Sequence, residues 1–189
     1  MSRDIYYKYK SEYLQMRRMF GGTRIDISTI TTSVRAYKYP SDDYGVIEDQ
    51  LKSLYKVCEP DEEEFKPMVR DSIVVCLHHE DRVIGFLVIT DTKILDDGSD
   101  TFTNKGGLRG VGGFFITSLC GDPRYRGISR PLFDWLYQHT RELGYSYLLL
   151  HASKARPHLR TFYEREDFRV NEEMTAKNTD FFIMSKTIA

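Results

Sequence analysis

The chain has 189 residues, with 28 acidic and 27 basic side chains and a formal net charge of −1. That length predicts one domain with a sizeable core, and the near-neutral balance excludes the basic footprint on which bulk nucleic-acid binding rests. No apolar run approaches the ~18 residues of a membrane span, the start lacks the apolar core of a signal peptide, and Cys58, Cys76 and Cys120 form neither a disulfide framework nor a zinc pattern, which points to a reducing, cytosol-like compartment.

Residues 1–22 read as an arm separate from a domain spanning 23–189. Tyr6, Tyr9, Tyr13, Met16 and Phe20 recur at helical spacing, with Lys8, Lys10, Arg17 and Arg18 between them, and Gly21-Gly22 stops the helix. Two readings stay open: an arm docking on the domain or a partner, and a leader processed after the double glycine. The segment resembles the "YLKYKxKYLxLK…GG" starts of many proteins of mimivirus-like giant viruses. That resemblance implies a viral protein in a host cytoplasm or in the virion.

"DISTITTSVRAYKY", residues 26–39, is rich in β-branched side chains and predicts a strand. A helix follows over 41–57, marked by Val46, Leu51, Leu54 and Tyr55. A short helix over 59–71 has Pro60 near its start and acids in its first turn, which suit the positive end of the helix dipole. The alternative is that the same acids, with Asp42 and Asp43, form a rim that attracts a cationic substrate.

Two apolar runs, 72–79 and 83–91, joined by Glu80-Asp81-Arg82, predict a hairpin. A polar loop spans 92–108. "GVGGFFITSLC" is a third strand, and its "GVGG" is not a nucleotide fingerprint, because Phe115 stands where GxGxxG needs its last glycine. "SRPLFDWLYQHTRELGYS" predicts a helix, with Ser129 as N-cap, Pro131 in the first turn, a buried stripe of Leu132, Trp135, Leu136 and Leu143, and Gly144 at the end. A strand over 145–153, a helix opened by Pro157 and two closing strands complete the chain. Strand-helix-strand alternation there predicts a parallel crossover.

"DPRYRGISRPLF", residues 122–133, joins the third strand to this helix and places Gly127 two residues before the cap. A helix start offers unpaired N–H groups and partial positive charge, and a glycine lets a ligand approach the backbone. The amides of Tyr125 to Arg130, with Arg124, Arg126 and Arg130 adding charge, suit an anion. A plain β-to-α turn is the competing reading.

The same stretch resembles a known pattern. Arg124-Tyr125-Arg126-Gly127-Ile128-Ser129 is similar to the [RQ]xxGx[GAS] signature of the GNAT superfamily of acetyl-CoA-dependent N-acetyltransferases, with Ser129 in place of the second glycine. "FYEREDF" resembles the family's "LYEKLGF", with Asp167 where glycine is common, and "DFFIMSKTI" resembles its closing strand. The resemblance runs from about Ser28 to Ile188. It implies an α/β (α+β) fold: a mixed, mostly antiparallel sheet with a central, splayed parallel strand pair and helices on both faces.

The resemblance also implies chemistry. The amides of Tyr125, Arg126, Gly127, Ile128, Ser129 and Arg130 would hold the CoA pyrophosphate, and the backbone of Leu119, Cys120 and Gly121 would pair with the pantetheine arm. A primary amine, on a small molecule or on a protein or peptide, would attack the acetyl carbonyl directly, with no metal. Tyr163 matches the family's proton donor to the CoA sulfur; read from the residues alone, it is a core tyrosine of an amphipathic helix. His151 stands where related alanine acetyltransferases carry a basic glutamate; a packed or surface histidine is the competing reading. Ser118 or a water chain can substitute as the base. Arg156 replaces an asparagine common in the family, so the contacts of that helix with the thiol end are not carried over. A non-catalytic acyl-CoA-binding or partner-binding module on the same fold is the alternative, and a homodimer stays open.

Overall fold

The computed structural model describes residues 24–58, 65–92, 112–176 and 179–189. The expected arm over 1–22, the acids of 59–64 and most of the polar loop lie outside the described residues.

The strands are β1 (Ile25–Asp26), β2 (Ser33–Lys38), β3 (Ile73–His79), β4 (Arg82–Asp91), β5 (Gly113–Gly121), β6 (Tyr125–Arg126), β7 (Tyr147–Ser153), β8 (Arg169–Ala176) and β9 (Thr179–Thr187). The helices are α1 (Asp42–Cys58), α2 (Phe65–Val69), α3 (Ser129–Glu142) and α4 (Pro157–Arg165). Seven strands form a mostly antiparallel sheet in the order β2-β3-β4-β5-β7-β9-β8, and β1 pairs with β6 alone. The expected crossover is present: β5 and β7 are parallel, joined through α3. Their register runs from Gly113↔Tyr147 to Ile116↔Leu150, and both strands continue past it.

The chain packs as two compact units. One comprises the described residues up to Val88 with Ser118–Trp135; the other comprises Ile89–Thr117 with Leu136–Ala189. In the first, α1 lays Tyr44, Ile47, Leu51, Leu54 and Tyr55 against Val74, Val83 and Phe86 of the β3–β4 hairpin. The α1 positions recur at helical spacing, so the helix presents one apolar face, whereas β3 and β4 are buried over continuous runs on both faces. In the second unit, β9 lies between β7 and β8, and Tyr147, Leu149 and Ile183 pack with Phe115 and Met174.

Two expectations are corrected. Residues 26–39 do not form one strand. The Asp26 side chain accepts the Ser28 amide at 3.1 Å and the Ser28 hydroxyl at 2.8 Å, and the Thr29 hydroxyl donates to the Asp26 carbonyl. These local bonds compete with a sheet ladder and wind Ile27–Thr29 into a 3₁₀ turn between β1 and β2. The cysteines also include a bridge: Cys58, the last residue of α1, is disulfide-bonded to Cys120 of β5, with Cα atoms 5.9 Å apart. The partners are 62 residues apart, so only the tertiary fold brings them together. Cys76 is free and buried.

Candidate functional site

The turn after β5 is built on Asp122, which is only 6 % exposed. Its amide donates to the Ile84 carbonyl at 2.8 Å, fixing it to β4. Its carboxylate accepts the Arg124 amide at 3.0 Å and, at both oxygens, the Arg124 Nε at 3.0 Å. Arg82 stands 3.6 Å away. Burial alone would raise this carboxyl, but the Arg124 bonds and the two guanidinium charges outweigh it and hold it below the usual carboxylate range.

Beyond Asp122, Tyr125 and Arg126 pair in parallel with Ile25 and Asp26. Gly127 follows at φ +85°, and a Cβ there would stand 3.2 Å from Ile27 Cγ1. Helix α3 begins at Ser129, directly after Ile128. An isoleucine at this position brings no side-chain oxygen to the helix start. Its buried side chain instead fills the space left by two glycines: a Cβ on Gly85 would collide with Ile128 Cγ2, and one on Gly121 would lie 3.0 Å from Cδ1.

All three arginines of the turn are held by carboxylates: Arg124 by Asp122, Arg126 by Asp26 at 2.9 Å and Arg130 by Asp134 at 3.1 Å. The Tyr125 amide donates to the Asp122 carbonyl and the Arg130 amide to the Gly127 carbonyl. The amides of Gly127, Ile128 and Ser129 have no acceptor among the described residues. The candidate cradle therefore narrows from six amides to a core of these three, with the guanidinium charges already compensated.

Beside the turn lies an open cleft of about 440 Å³, lined by Gln50, Leu54 and Val57 of α1, by Arg82, and by Asp122 and Arg124. The sequence reading missed both the cleft and the role of Asp122. A first-position Asp in "DPRY" is a turn signal, but nothing local shows that it is buried between two arginines.

The two candidate catalytic residues lie in the other unit, where α4 packs on β7. Tyr163 is buried, with its ring 5.8 Å from Phe168 and 5.0 Å from Phe162. Burial pushes its phenol up to about 12, so it keeps its proton at neutral pH. Its backbone is fixed by the helix end: the Phe168 amide donates to the Tyr163 carbonyl and the Asp167 amide to the Glu164 carbonyl, a Schellman closure. Asp167 takes the left-handed conformation there, at φ 64°, which is why glycine suits the position.

His151 lies on β7 opposite Ile183, with its ring 4.7 Å from Phe115 and 6.1 Å from Phe181. These apolar surroundings push it down to about 4. It is neutral at neutral pH, as a base must be, but its affinity for a proton is weak. Taking one from an ammonium near pKa ~10 would cost about 8 kcal/mol. An imidazole in these surroundings resists taking a proton.

Among the described residues no group of three or more His, Cys, Asp or Glu stands together as a metal site, and no helix is long and apolar enough to cross a membrane.

No family model matches the chain, and no curated protein matches it in sequence. Solved structures do match. The aminoglycoside 6'-N-acetyltransferase from Enterococcus faecium aligns with a TM-score of 0.57 at 17 % identity, covering 83 % of this chain and 97 % of its own. NAA60 from Arabidopsis thaliana, in complex with acetyl-CoA, aligns with a TM-score of 0.61 at 17 % identity, covering 84 % and 99 %. A protein of the GNAT family from Desulfovibrio desulfuricans aligns with a TM-score of 0.60 at 15 % identity, covering 84 % and 100 %. These likenesses extend over nearly the whole of each neighbour, and they establish that this chain has the GNAT fold.

Proposed function

We propose that this protein transfers an acetyl group from acetyl-CoA to a primary amine. The observation that carries the reading is the set of amides at Gly127, Ile128 and Ser129 that have no acceptor among the described residues, around a left-handed glycine at the start of a 14-residue helix. Such a helix start binds phosphate oxygens through N–H groups and the helix dipole. Solved neighbours of the fold include complexes with coenzyme A and acetyl-CoA, which supports CoA pyrophosphate as the anion. The backbone of Leu119 to Gly121 would pair with the pantetheine arm.

In this reading the amine attacks the acetyl carbonyl and Tyr163 donates a proton to the departing sulfur. Its raised pKa suits a donor that must not ionise beforehand. His151 is neutral in its apolar surroundings, and deprotonation of the amine falls to solvent or to Ser118. Aminoglycoside acetyltransferases among the structural neighbours support an amine as the acceptor class.

The apolar packing of His151 against Phe115 and Phe181 favours one competing reading, a non-catalytic acyl-CoA-binding module, because an imidazole there resists taking a proton. One assay separates the two. The protein is incubated with acetyl-CoA and a panel of polyamines, amino sugars, peptides with free N-termini and lysine derivatives, and free CoA thiol is followed. Amine-dependent thiol release that Tyr163→Phe abolishes supports the enzyme. Acetyl-CoA binding without release by any amine supports the module. Failure to bind acetyl-CoA removes both.

A further inference from the structure

We infer that Cys58 and Cys120 form a reversible thiol–disulfide pair whose oxidation state sets the affinity of the acetyl-CoA site. The inference rests on the proposed function, because it takes the segment Leu119–Gly121 and the turn after it as the CoA contact.

The argument starts from position. Cys120 lies inside the proposed pantetheine segment, two residues before Asp122. Asp122 binds the Arg124 amide and guanidinium, and so fixes the entry to the anion turn. Cys58 ends α1, directly after Val57, and Cys120 Sγ lies 3.3 Å from the Leu54 carbonyl. Val57 and Leu54 form one wall of the cleft, and Asp122 and Arg124 form the other. The bridge therefore staples α1 to the strand that delivers both the cradle and the cleft wall. The Cys120 side chain packs in the apolar core with α1, so the bridge braces the contact segment through its core face.

Chemical access fits reversibility. Cys120 is buried and Cys58 is half-buried, so an exchanging thiol or disulfide can reach Cys58 first. On oxidation, the two protein thiols lose two electrons and two protons, an S–S bond forms, and a low-molecular-weight disulfide such as oxidised glutathione is reduced to two thiols. On reduction, two glutathione thiols supply the electrons and leave as their disulfide. The oxidised state is the one that binds acetyl-CoA well. A braced cradle loses less conformational freedom on binding than one whose supporting helix end is free. Cys76, buried in the core and unpaired, takes no part.

The test uses the full chain. It is equilibrated across a range of reduced-to-oxidised glutathione ratios, and thiol alkylation with mass spectrometry reads the state of each cysteine peptide. Acetyl-CoA, whose sulfur is blocked, is then titrated calorimetrically into the fully oxidised and fully reduced forms. The expected result is joint, reversible loss of alkylation at Cys58 and Cys120, about fivefold tighter acetyl-CoA binding in the oxidised form, and a Tm higher by about 10 °C. Cys58→Ser should bind like reduced wild type at every ratio. Equal affinity in two forms whose thiol states are verified overturns the inference and leaves the acetyl-CoA reading standing. A bridge that stays closed at every ratio overturns it too. Acetyl-CoA binding to neither form overturns the reading beneath it as well. The wild-type comparison stands alone if the serine variant fails to fold.

Discussion

The side chain of Ile27 stands 3.2 Å from the point where a Cβ on Gly127 would be, and the Gly127 backbone is held at φ +85°. A side chain at 127 therefore meets two obstacles, the left-handed backbone, worth ~1–2 kcal/mol for an L-residue, and contact with Ile27. Gly127→Val is expected to weaken acetyl-CoA binding by at least about tenfold. Arg126→Ala removes a guanidinium already engaged by Asp26, and should cost no more than about threefold. Calorimetric titration of the two variants checks the ranking. The reverse order would place the binding energy in the arginines instead of the amides.

Asp122 offers a pH test of the turn. Its folded carboxyl titrates below the unfolded value, so its stabilising contribution is full above the unfolded pKa of ~3.9 and is lost as pH falls through the lower folded pKa. Arg82 is 60 % exposed and Arg124 31 %, which screens the pair. Asp122→Asn should therefore cost about 1–3 kcal/mol at pH 7. The difference from wild type should shrink toward zero under strongly acidic conditions. Urea midpoints measured from neutral to acid pH test this; a difference that does not change with pH would mean the carboxylate charge contributes nothing.

The proposed chemistry predicts separate signatures for Tyr163 and His151. Tyr163→Phe should lower kcat by about 10²-fold or more while acetyl-CoA affinity changes by less than about threefold. His151 resists protonation in the folded protein. Between its unfolded pKa of ~6.5 and its folded value of about 4, the unfolded chain binds the additional proton, so stability falls as pH falls through that window. His151→Phe should flatten this slope in urea unfolding. In rate profiles, the acidic limb of kcat/KM should follow the pKa of the amine used, not a fixed value near 6.5. A limb fixed near 6.5 for every amine would restore His151 as the base.

At the end of α4, Asp167 occupies the left-handed position of a Schellman closure. Replacing it with glycine removes the steric penalty at that conformation and should stabilise the protein by ~1 kcal/mol, seen as a Tm increase of a few degrees. Its exposed carboxylate lies 3.7 Å from Lys186, a weak offset that the variant gives up. A lower Tm would mean that this ion pair outweighs the backbone term.

Much of the fold is legible in the sequence because periodicity carries it. The β3–β4 hairpin follows from two apolar runs joined by a polar turn and the parallel β5–α3–β7 crossover from strand-helix-strand alternation; in α3 the expected stripe holds at Leu132 and Leu136, but Leu143 is 49 % exposed because the helix ends at Glu142. The segment from Asp26 was misread because β-branched composition ignores side-chain bonds to the local backbone, and Asp26, Ser28 and Thr29 form several. In the candidate site, the glycine turn and the helix start were legible because both are local features. Which amides stay open was not, because it depends on where Asp122 and Gly127 place their carbonyls. The Cys58–Cys120 bridge and the burial of His151 arise from contacts between distant segments, to which local spacing is blind.

The pairing of Ile25 and Asp26 with Tyr125 and Arg126 has a practical side. Gly22 precedes Ile25 by three residues, at most roughly 11 Å of extended chain. Cleavage after the double glycine would leave only a short stub ahead of a ladder that flanks the 122–130 turn. An affinity tag fused there would bring its bulk and charge beside the turn proposed to bind acetyl-CoA, so handles for purification or surface immobilisation belong at the other terminus.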